Sequence, residues 1–308
     1  MDKIIIATRK SALAMWQSEY IKNILEKTHG VEVVLQGFKT KGDVLLDSPL
    51  AKIGGKGLFT KELEESMLRG EAHIAVHSLK DVPTFFPSGL KLAAITKRED
   101  VRDCFLSMKY KNLYELPQGA KVGTTSLRRQ MQLLLLRKDL KLISLRGNVN
   151  SRLEKLKNEE FDAIILAKAG INRLNLEKEV NFTYAFSKDE MIPAASQGAL
   201  GIESIENSEL EAVLSCLNDE NSFMETYIER DFIKALEGGC QVPIGINAEL
   251  QGEQIKIRAV LGLPNASEIL KEEQLVSKNL YKQAGFLLAQ KMIQNGAKEL
   301  LNRALKMI

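Results

Sequence analysis

The stretch AKVGTTSLRRQMQLLLLRKDLKLISL, residues 120–145, combines two different hydrophobic patterns. Both of its ends, 120–124 and 140–145, are short apolar runs typical of buried strands, whereas apolar residues in the middle, 126–138, recur at helical spacing. A strand, a helix and a strand joined this closely form a β-α-β unit, in which the helix covers a parallel sheet. The stretch therefore predicts an α/β fold.

The same alternation of strands and helices continues on both sides of this stretch. Downstream, a helix over 151–159 is followed by a strand over 161–167. Upstream, the patterns predict strands over 3–8, 31–38, 73–77 and 91–96, with one helix between the first two strands and another over 58–70. We therefore expect two α/β lobes in sequence, each with a mainly parallel, doubly wound sheet. The cleft between such lobes is the usual place for a ligand.

The last third of the chain has a different pattern. A helix near 221–236 leads into the turn LEGGCQVPIG (236–245), which is followed by two strand patterns and a long amphipathic helix from about residue 280. This order indicates a smaller C-terminal α+β domain. We therefore expect three domains, formed by residues 1–96 with 198–216, by 97–197, and by 217–308.

The composition excludes several classes of protein. With 308 residues, 44% of them apolar, the chain is long enough for ordinary cores, but it has no run of about 18 apolar residues that would indicate a membrane span. The N-terminal segment lacks the pattern of a signal peptide, so we expect a cytoplasmic protein. No obvious exposed seam indicates an oligomer, and we expect a monomer.

The three cysteines are sparse. No C-x-x-C pair is formed by the three, which are Cys104, Cys216 and Cys240. Their spacing argues against a disulfide framework and against a zinc site. Cys104 and Cys216 have apolar neighbours, and we expect both to be small core side chains. Cys240 differs, because it lies in a turn behind two glycines.

Positive charge is concentrated in one segment. Residues 121–157 contain ten Lys or Arg against Asp139 and Glu154, a net charge of +8, so the rest of the chain carries −5 of the total of +3. The ten cations are Lys121, Arg128, Arg129, Arg137, Lys138, Lys141, Arg146, Arg152, Lys155 and Lys157. A segment of this sign requires an anionic partner.

Two motifs within this segment place arginines at strand ends. GTTSLRRQ (123–130) runs from a strand end into a helix start, where free backbone N–H groups and hydroxyls can converge on an anion. SLRGNVNSR (144–152) repeats the arrangement and offers Arg146 and Arg152. A guanidinium group binds a carboxylate or a phosphate through two parallel hydrogen bonds. The two motifs therefore predict a polyanionic or poly-carboxylate ligand.

SLKDVP (78–83) follows the strand over 73–77, at the carboxyl edge of the predicted sheet. In a surface turn, Asp81 would be an ordinary turn residue. Facing the cleft, it would be a carboxylate among cations, which suits an acid–base or cation-stabilising role. His73 and His77 are four residues apart in a strand rather than a helix, which is not the spacing of a zinc site, and we expect both to be structural.

KIGGKGLFTK (52–61) resembles a phosphate-binding loop only loosely, because it lacks the spacing of that motif. We expect a mobile loop that carries Lys52 and Lys56 beside the cleft. The sequence assigns this loop no chemical role.

Seven motifs in the chain resemble those of one enzyme family, and they occur in that family's order over nearly the whole chain. They are IATRKSALAMWQ, GGKGLFTKELE, AVHSLKDVP, GTTSLRRQ, SLRGNV, PAASQGALGIE and LEGGCQVPIG. The family is porphobilinogen deaminase, also called hydroxymethylbilane synthase, and the last motif is the most specific. The resemblance implies two lobes similar to periplasmic-binding-protein domains and a transferase of tetrapyrrole, porphyrin and heme biosynthesis.

Members of this family carry a dipyrromethane cofactor joined by a thioether to the cysteine of the last motif. The resemblance therefore implies that Cys240 is the attachment point, and a thiolate is the soft nucleophile that this bond requires. It implies cofactor contacts by Lys80, Asp81, Thr124, Thr125, Ser126, Arg128, Arg129 and Arg146. It implies substrate contacts by Arg9, Ser11, Arg152, Arg173 and Gln197, of which Gln197 matches a position near the family's hinge. No metal is implied.

By the same resemblance, Asp81 is the catalytic residue. Loss of ammonia from porphobilinogen leaves a cation, which a carboxylate near the pyrrole N–H would stabilise. The free α-carbon of the bound chain then attacks, and Asp81 can help to remove the proton. Four additions and a hydrolysis would release hydroxymethylbilane.

Two other classes of protein remain open on the residues alone. A two-lobed binding protein for a small anion would have similar lobes but no bound chromogen, and the lack of a signal peptide argues against its periplasmic version. A nucleic-acid binder could use the basic segment, but aromatic residues for base stacking are scarce there. We expect porphobilinogen as the partner, with no nucleic acid and no membrane.

Overall fold

The computed structural model describes residues 2–44, 57–238 and 242–307. These residues form two compact units. The first contains 2–44, 57–99 and 198–223, and the second contains 100–197, 224–238 and 242–307. The second unit includes most of the predicted second lobe and of the predicted C-terminal domain, and the boundaries of the three-domain division stay a prediction.

The described chain alternates between strands and helices. The strands are β1 (Lys3–Arg9), β2 (Glu32–Phe38), β3 (Ile74–Ser78), β4 (Leu90–Ile95), β5 (Asp103–Ser107), β6 (Lys121–Gly123), β7 (Lys141–Ile143), β8 (Ala163–Ala167), β9 (Phe182–Ala185), β10 (Leu200–Ile205), β11 (Ile244–Gln251), β12 (Gln254–Gly262) and β13 (Ile269–Ser277). The helices are α1 (Ala12–His29), α2 (Lys41–Val44), α3 (Lys61–Leu68), α4 (Leu127–Leu136), α5 (Val149–Lys157), α6 (Lys168–Leu174), α7 (Ser208–Leu214), α8 (Glu220–Ala235), α9 (Tyr281–Gln294) and α10 (Ala297–Leu305). Within the described ranges, we find no helix that is both long and apolar enough to cross a membrane.

The first unit is a five-stranded sheet with helices on both faces, in the strand order β2-β1-β3-β10-β4. On one face, Ile6 shares a core with Ile21 and Leu25 of α1, and all three are fully buried. On the other face, Leu63 of α3 shares a core with Ala75 of β3. The apolar residues of α1 recur at helical spacing, so this helix presents one apolar face to the sheet.

The two ends of helix α1 are set by capping residues, Ser11 and Gly30. The side chain of Ser11 accepts a hydrogen bond from the backbone N–H of Ala14 and so caps the first turn. Gly30 ends the helix with φ 66°, in the left-handed region, and its N–H donates to the carbonyl of Glu26. The cap brings Ser11 close to the end of β1, where Arg9 lies.

The second unit contains another five-stranded sheet, in the order β7-β6-β8-β5-β9. Leu133 of α4 belongs to the core on one face, and Leu153 of α5 belongs to the core on the other. A three-stranded antiparallel sheet, β11-β12-β13, packs with α8, α9 and α10 around Phe232 and Ile246. The prediction of two doubly wound α/β lobes and a smaller α+β domain is confirmed.

Each five-stranded sheet is mainly parallel, as expected, but contains one antiparallel strand. In the first unit, β1 is parallel to β2 and β3, but β10 is antiparallel to both of its neighbours, β3 and β4. In the second unit, β6 is parallel to β7 and β8, but β5 is antiparallel to β8 and β9. Leu200, the first residue of β10, pairs with Ser78, the last residue of β3. The chain therefore returns to this sheet at the edge where the parallel strands end, and that return sets the direction of β10.

The C-terminal helical segment also differs from its prediction. The single helix expected from about residue 280 is two helices, α9 and α10, separated by Gly296. Gly296 has φ 90°, a conformation that ends a right-handed helix and that glycine adopts without strain.

Candidate functional site

A pocket in the first unit lies at the carboxyl ends of β1 and β3. Its lining residues are Arg9, Ser11, Leu13, Ala14, Gln17, Phe59, Val76, His77, Ser78 and Asp81. The cavity has a volume of about 70 Å³. Asp81 reaches it because β3 ends at Ser78 and a 3-10 turn, Leu79–Asp81, follows directly. The predicted catalytic residue Asp81 and the predicted substrate-binding residues Arg9 and Ser11 therefore share one pocket.

The guanidinium group of Arg9 is held by Asp43, a residue that the sequence analysis did not identify. Nε of Arg9 lies 3.2 Å from Oδ2 of Asp43, and Nη2 contacts Oδ1 of the same carboxylate. Cζ of Arg9 also lies 4.3 Å from the centre of the Phe59 ring, a cation–π distance. Burial raises the pKa of Asp43, but hydrogen bonds from Arg9 and Thr40 outweigh burial and lower it. The carboxylate therefore stays charged and fixes Arg9 in the pocket.

Polar groups from α1 and β3 line the same pocket as Asp81. Ser11 caps α1, and the N-terminus of this helix carries the partial positive charge that favours an anion. Gln17 donates a 2.9 Å hydrogen bond from Nε2 to the hydroxyl oxygen of Ser78. Lys80 and Asp81 are both partly exposed. The ligand contacts of Ser11 and Lys80 stay predictions.

In the second unit, the predicted hydroxyl cluster forms the N-terminus of α4. The side chain of Ser126 accepts a hydrogen bond from the N–H of Arg129 and so caps the helix. The hydroxyl oxygen of Thr124, which is buried, accepts from the N–H of Ser126 at 3.2 Å. The hydroxyl of Thr125 donates to the carbonyl of Leu145 at 3.4 Å. Thr124, Thr125 and Ser126 therefore lie together, as predicted, and their hydroxyls also stabilise the turn itself.

Arg128 and Arg129 are buried inside the second unit, where they share Asp103. Nη1 of Arg128 lies 2.6 Å from Oδ2 of Asp103 and donates to the carbonyl of Ile192 at 2.8 Å. Nε of Arg129 lies 2.8 Å from Oδ1 of Asp103, and Nη1 of Arg129 donates to the carbonyl of Ile165 at 2.8 Å. Arg128 is 4% exposed and Arg129 is 6% exposed, so most of each guanidinium group faces protein. The predicted contacts of these arginines with the cofactor stay predictions.

Asp103 is ionised although it is completely buried. Burial raises its pKa, but the charges of Arg128 and Arg129 and the hydrogen bonds from Arg128 and Gln197 hold the pKa of Asp103 well below its ordinary value. Nε2 of Gln197 donates to Oδ1 of Asp103 at 3.2 Å and to the carbonyl of Val101 at 2.8 Å. Gln197, predicted to bind substrate near a hinge, therefore belongs to the same buried network.

Arg146, Arg152 and Arg173 are all partly exposed. Burial lowers the pKa of Arg146, so an anion beside it would stabilise its charge. Nε of Arg152 donates to the carbonyl of Gly147 at 2.8 Å. Arg146 therefore lies in the loop before α5, and Arg152 lies in the first turns of that helix, as predicted. Arg173 lies in the last turn of α6.

Cys240, Lys52 and Lys56 lie outside the described residues. The attachment role of Cys240 and the loop expected to carry the two lysines therefore stay predictions. In the part of the chain that the structure describes, no three His, Cys, Asp or Glu side chains are grouped so that they could hold a metal ion.

The other two cysteines have different environments. Cys104 is buried in the core of the second unit, as predicted, and burial raises its pKa to about 11. The prediction that Cys216 is a core residue is wrong, because it is exposed. Leu214 and Leu217 face the core of the first unit, and the 3-10 turn Ser215–Leu217 leaves Cys216 outside it.

Sequence reasoning missed three acidic residues that hold other side chains of these regions. Asp43 holds Arg9, Asp103 holds the two buried arginines, and Glu203 lies 3.1 Å from Nε2 of His77. Each is far from its partner along the chain, so no motif joins them. One signal was available for Asp103 and Glu203, because a charged residue within a buried strand requires a partner.

Two family models match the chain. The model described as "Porphobilinogen deaminase, dipyromethane cofactor binding domain" matches residues 4–212, and the one described as "Porphobilinogen deaminase, C-terminal domain" matches residues 223–294. The chain is 70% identical over 306 residues to the porphobilinogen deaminase of Campylobacter jejuni subsp. jejuni serotype O:2, with 99% of this chain and 100% of the relative covered. It is 62% identical over 308 residues to that of Campylobacter concisus, with both chains covered completely.

Among solved structures, the periplasmic VFT2 domain of BvgS from Bordetella pertussis is distantly similar. Its TM-score is 0.42 at 13% identity, with 69% of this chain and 85% of the other covered, a level of similarity that supports no conclusion. The family models and the curated relatives, in contrast, cover most or all of the chain. The chain belongs to the porphobilinogen deaminase family.

Proposed function

We propose that this chain is a hydroxymethylbilane synthase, a transferase of tetrapyrrole, porphyrin and heme biosynthesis. It removes ammonia from four porphobilinogen molecules, joins them head-to-tail to a covalently bound dipyrromethane, and releases the linear tetrapyrrole hydroxymethylbilane by hydrolysis. The observation that carries this proposal is the position of Asp81, in one pocket with Arg9 and Ser11, in a chain of the porphobilinogen deaminase family.

The cations of the described residues fit the charge of the cofactor and the substrate. Every pyrrole ring in these compounds bears an acetate and a propionate, so negative charge increases with each ring. Arg9 is fixed by Asp43 in the pocket, and Arg146 is partly buried, where a carboxylate would offset the cost of desolvating its charge. The capped N-terminus of α4 adds backbone N–H donors beside the hydroxyl of Ser126.

The residues that would hold the dipyrromethane are Cys240, through a thioether, and Lys80, Asp81, Thr124, Thr125, Ser126, Arg128, Arg129 and Arg146, through polar contacts. Arg9, Ser11, Arg152, Arg173 and Gln197 would hold the substrate. When bound, the cofactor supplies the ring whose free α-carbon is the nucleophile for the first substrate. Asp103 acts from inside the second unit, because it fixes two of these arginines and Gln197.

Asp81 performs the electrostatic part of the reaction. As ammonia leaves the aminomethyl group of porphobilinogen, positive charge spreads from the methylene carbon over the ring to its N–H. A carboxylate beside that N–H stabilises the cation as it forms, and a fixed carboxylate needs no reorganisation at that moment. The guanidinium group of Arg9 can pair with a ring carboxylate and orient the ring toward Asp81.

The partners and location of the protein follow the same proposal. We propose a cytoplasmic monomer whose partner is porphobilinogen, with no nucleic acid and no membrane. Family membership favours this enzyme over an anion-binding protein or a nucleic-acid binder. Size-exclusion chromatography should give a mass near that of one 34.4 kDa chain.

An intact mass spectrum tests the proposed function. Protein purified from cells that make porphobilinogen should be heavier than 34.4 kDa by one dipyrromethane, and peptide mapping should place the added mass on Cys240. The Cys240→Ser variant is the control and should have the mass of the bare chain. A wild-type protein that stays at the bare mass after incubation with porphobilinogen, and that releases no hydroxymethylbilane, would refute the function.

A further inference from the structure

The peptide group of Ile192 is held by two side chains of helix α4. Gln132 pairs with it in both directions: the backbone N–H of Ile192 donates to Oε1 of Gln132 at 2.7 Å, and Nε2 of Gln132 donates to the carbonyl of Ile192 at 3.0 Å. Arg128, one turn earlier on the same face of the helix, donates from Nη1 to the same carbonyl at 2.8 Å. All three residues are buried, and one peptide group therefore links two turns of α4.

Asp103 and Ile192 have different effects on Arg128. The carboxylate of Asp103 supplies the counter-charge and accepts from Nη1 at 2.6 Å and from Nη2 at 3.1 Å. The carbonyl of Ile192 is a neutral acceptor, so it adds direction without adding charge. With acceptors on two sides, the plane of the guanidinium group has one orientation. Asp103 therefore neutralises Arg128, and Ile192 aligns it.

The hydrogen bonds of Arg128 leave one edge of its guanidinium group for a ligand. This group carries five N–H bonds, and the contacts with Asp103 and Ile192 use both of those on Nη1 and one on Nη2. Within the described ranges, no residue accepts from Nε or from the second N–H of Nη2. These two bonds are parallel and form the fork that matches a carboxylate. The direction of this fork depends on how the opposite edge is held.

Strand β11 approaches the same peptide group from the C-terminal module. A Cβ at Gly245 would lie 2.8 Å from the carbonyl oxygen of Ile192, which is closer than a side chain can approach without displacing the peptide. The next residue, Ile246, donates from its N–H to the carbonyl of Pro193 at 2.9 Å. In the sequence, β11 begins four residues after Cys240. One peptide group therefore contacts both Arg128 and the strand that follows the predicted attachment turn.

We propose that Gln132 is a positioning residue of the dipyrromethane site and that it acts on Arg128 through the peptide group of Ile192. The proposal rests on the proposed function and adds a residue outside the predicted ligand contacts. A glutamine amide both donates and accepts, so it fixes the N–H and the carbonyl of one peptide at once. An apolar side chain at position 132 would leave the buried N–H of Ile192 without its partner, and the carbonyl that aligns Arg128 would move with it.

The loading of the cofactor tests this role. Apo-protein from cells that make no porphobilinogen is incubated with porphobilinogen, and intact mass spectrometry follows the gain of one dipyrromethane. Gln132→Met keeps the length of the side chain but lacks the amide. We expect the porphobilinogen concentration that gives half of the maximal loading rate to rise about fivefold or more, the effect of one lost hydrogen bond. The maximal rate should stay within about twofold of wild type, because binding rather than chemistry is changed.

Gly245→Ala disturbs the same peptide from the opposite side. Its Cβ should displace the carbonyl of Ile192 although Gln132 is intact, and the half-loading concentration should rise as it does in Gln132→Met. If Gln132→Met does not fold, this variant decides the question alone.

A double-mutant cycle tests the route through Arg128. Arg128→Lys removes the fork that Ile192 aligns. If Gln132 acts through this fork, adding Gln132→Met to Arg128→Lys should raise the half-loading concentration by less than about twofold further, whereas independent effects would multiply.

Leu133→Val is the matched control for a purely structural effect. Leu133 is the next residue of α4 and is fully buried in another core, so a smaller side chain leaves a cavity but changes no hydrogen bond of Ile192. It should lower the stability and leave the half-loading concentration unchanged. An unchanged half-loading concentration in folded Gln132→Met or Gly245→Ala, or effects that multiply in the cycle, would overturn the proposal. A wild type that gains no dipyrromethane would instead refute the proposed function.

Discussion

Oδ2 of Asp103 lies 2.6 Å from Nη1 of Arg128, and both side chains are buried. Arg129 uses the same carboxylate, so two buried positive charges share one negative charge. Burying a charge is costly unless it is paired, and removal of one partner leaves the other uncompensated. Asp103 is therefore the residue on which the order of both arginines depends.

Asp103→Asn should strongly destabilise the protein. The variant keeps the size of the side chain but leaves two buried guanidinium groups without a counter-ion, so we expect the free energy of unfolding to fall by about 3–5 kcal/mol. Urea denaturation followed by circular dichroism measures this. Glu159→Gln removes the partner of Lys109 in an exposed ion pair and should change the stability little. Equal stability of the two variants would contradict the account of the network.

The same carboxylate should make stability depend on pH. The folded pKa of Asp103 is depressed, so its contribution is fully present above the pKa of an unfolded aspartate, about 4, and is lost as the pH falls toward the folded value. The wild type should therefore lose stability below about pH 4 more steeply than Asp103→Asn. Denaturation curves at several pH values between neutral and acidic measure the difference, and parallel curves would show that another group is responsible.

Asp81→Asn should keep the covalent cofactor but nearly abolish turnover. An amide lacks the negative charge that stabilises the forming cation, and the loss of one such group lowers kcat by on the order of 10³-fold. The intact mass reports the adduct, and hydroxymethylbilane release reports kcat. Glu159→Gln, at an exposed position in the second unit, is the control and should have wild-type activity. Normal product formation by Asp81→Asn would refute the role of this residue.

Arg9→Lys should weaken substrate binding. A lysine has one compact charge in place of the planar fork that contacts Asp43 and stacks on Phe59, so it cannot pair with a carboxylate in the same geometry. The loss of one charge-assisted hydrogen bond, about 1.5 kcal/mol, corresponds to a rise in KM of about tenfold. Lys27→Met, an exposed change on α1, should leave KM unchanged. A KM for Arg9→Lys within twofold of wild type would exclude a substrate contact by Arg9.

Gly285→Ala should destabilise the C-terminal module although alanine is the better helix former. A Cβ at position 285 would lie 2.2 Å from the carbonyl oxygen of Ile228, so α8 and α9 would have to separate. We expect a loss of about 1–3 kcal/mol, the usual cost of overpacking. Gln283→Ala, at an exposed position of the same helix, should be neutral or slightly stabilising. Thermal or urea denaturation of both variants tests the contact.

Local periodicity predicted most of the elements in the two lobes, with shifted ends. Helix α5, for example, was predicted over 151–159 and runs over Val149–Lys157, since capping by Asn148 sets its start. Strands β5 and β10 were not predicted, and their antiparallel direction is determined by where the chain re-enters each sheet. Tertiary connections of this kind leave no signal in a short window.

The candidate site was also predictable only in part. The shared pocket of Arg9, Ser11 and Asp81 was predictable, because motifs at strand ends meet at one edge of a sheet. The residues that hold these groups in place were not predictable. Asp43 is 34 residues from Arg9, and Glu203 is 126 residues from His77, so each pair forms only when the chain folds.

The position of β10 between β3 and β4 has a consequence for synthesis on the ribosome. A nascent chain that has emerged to residue 100 contains β1 to β4 but lacks the strand that joins β4 to the others. Residues 100–197, in contrast, contain all five strands of the second sheet in one continuous segment. The lobe that is translated second should therefore complete its sheet first, while the earlier lobe keeps an open strand edge that a chaperone can bind.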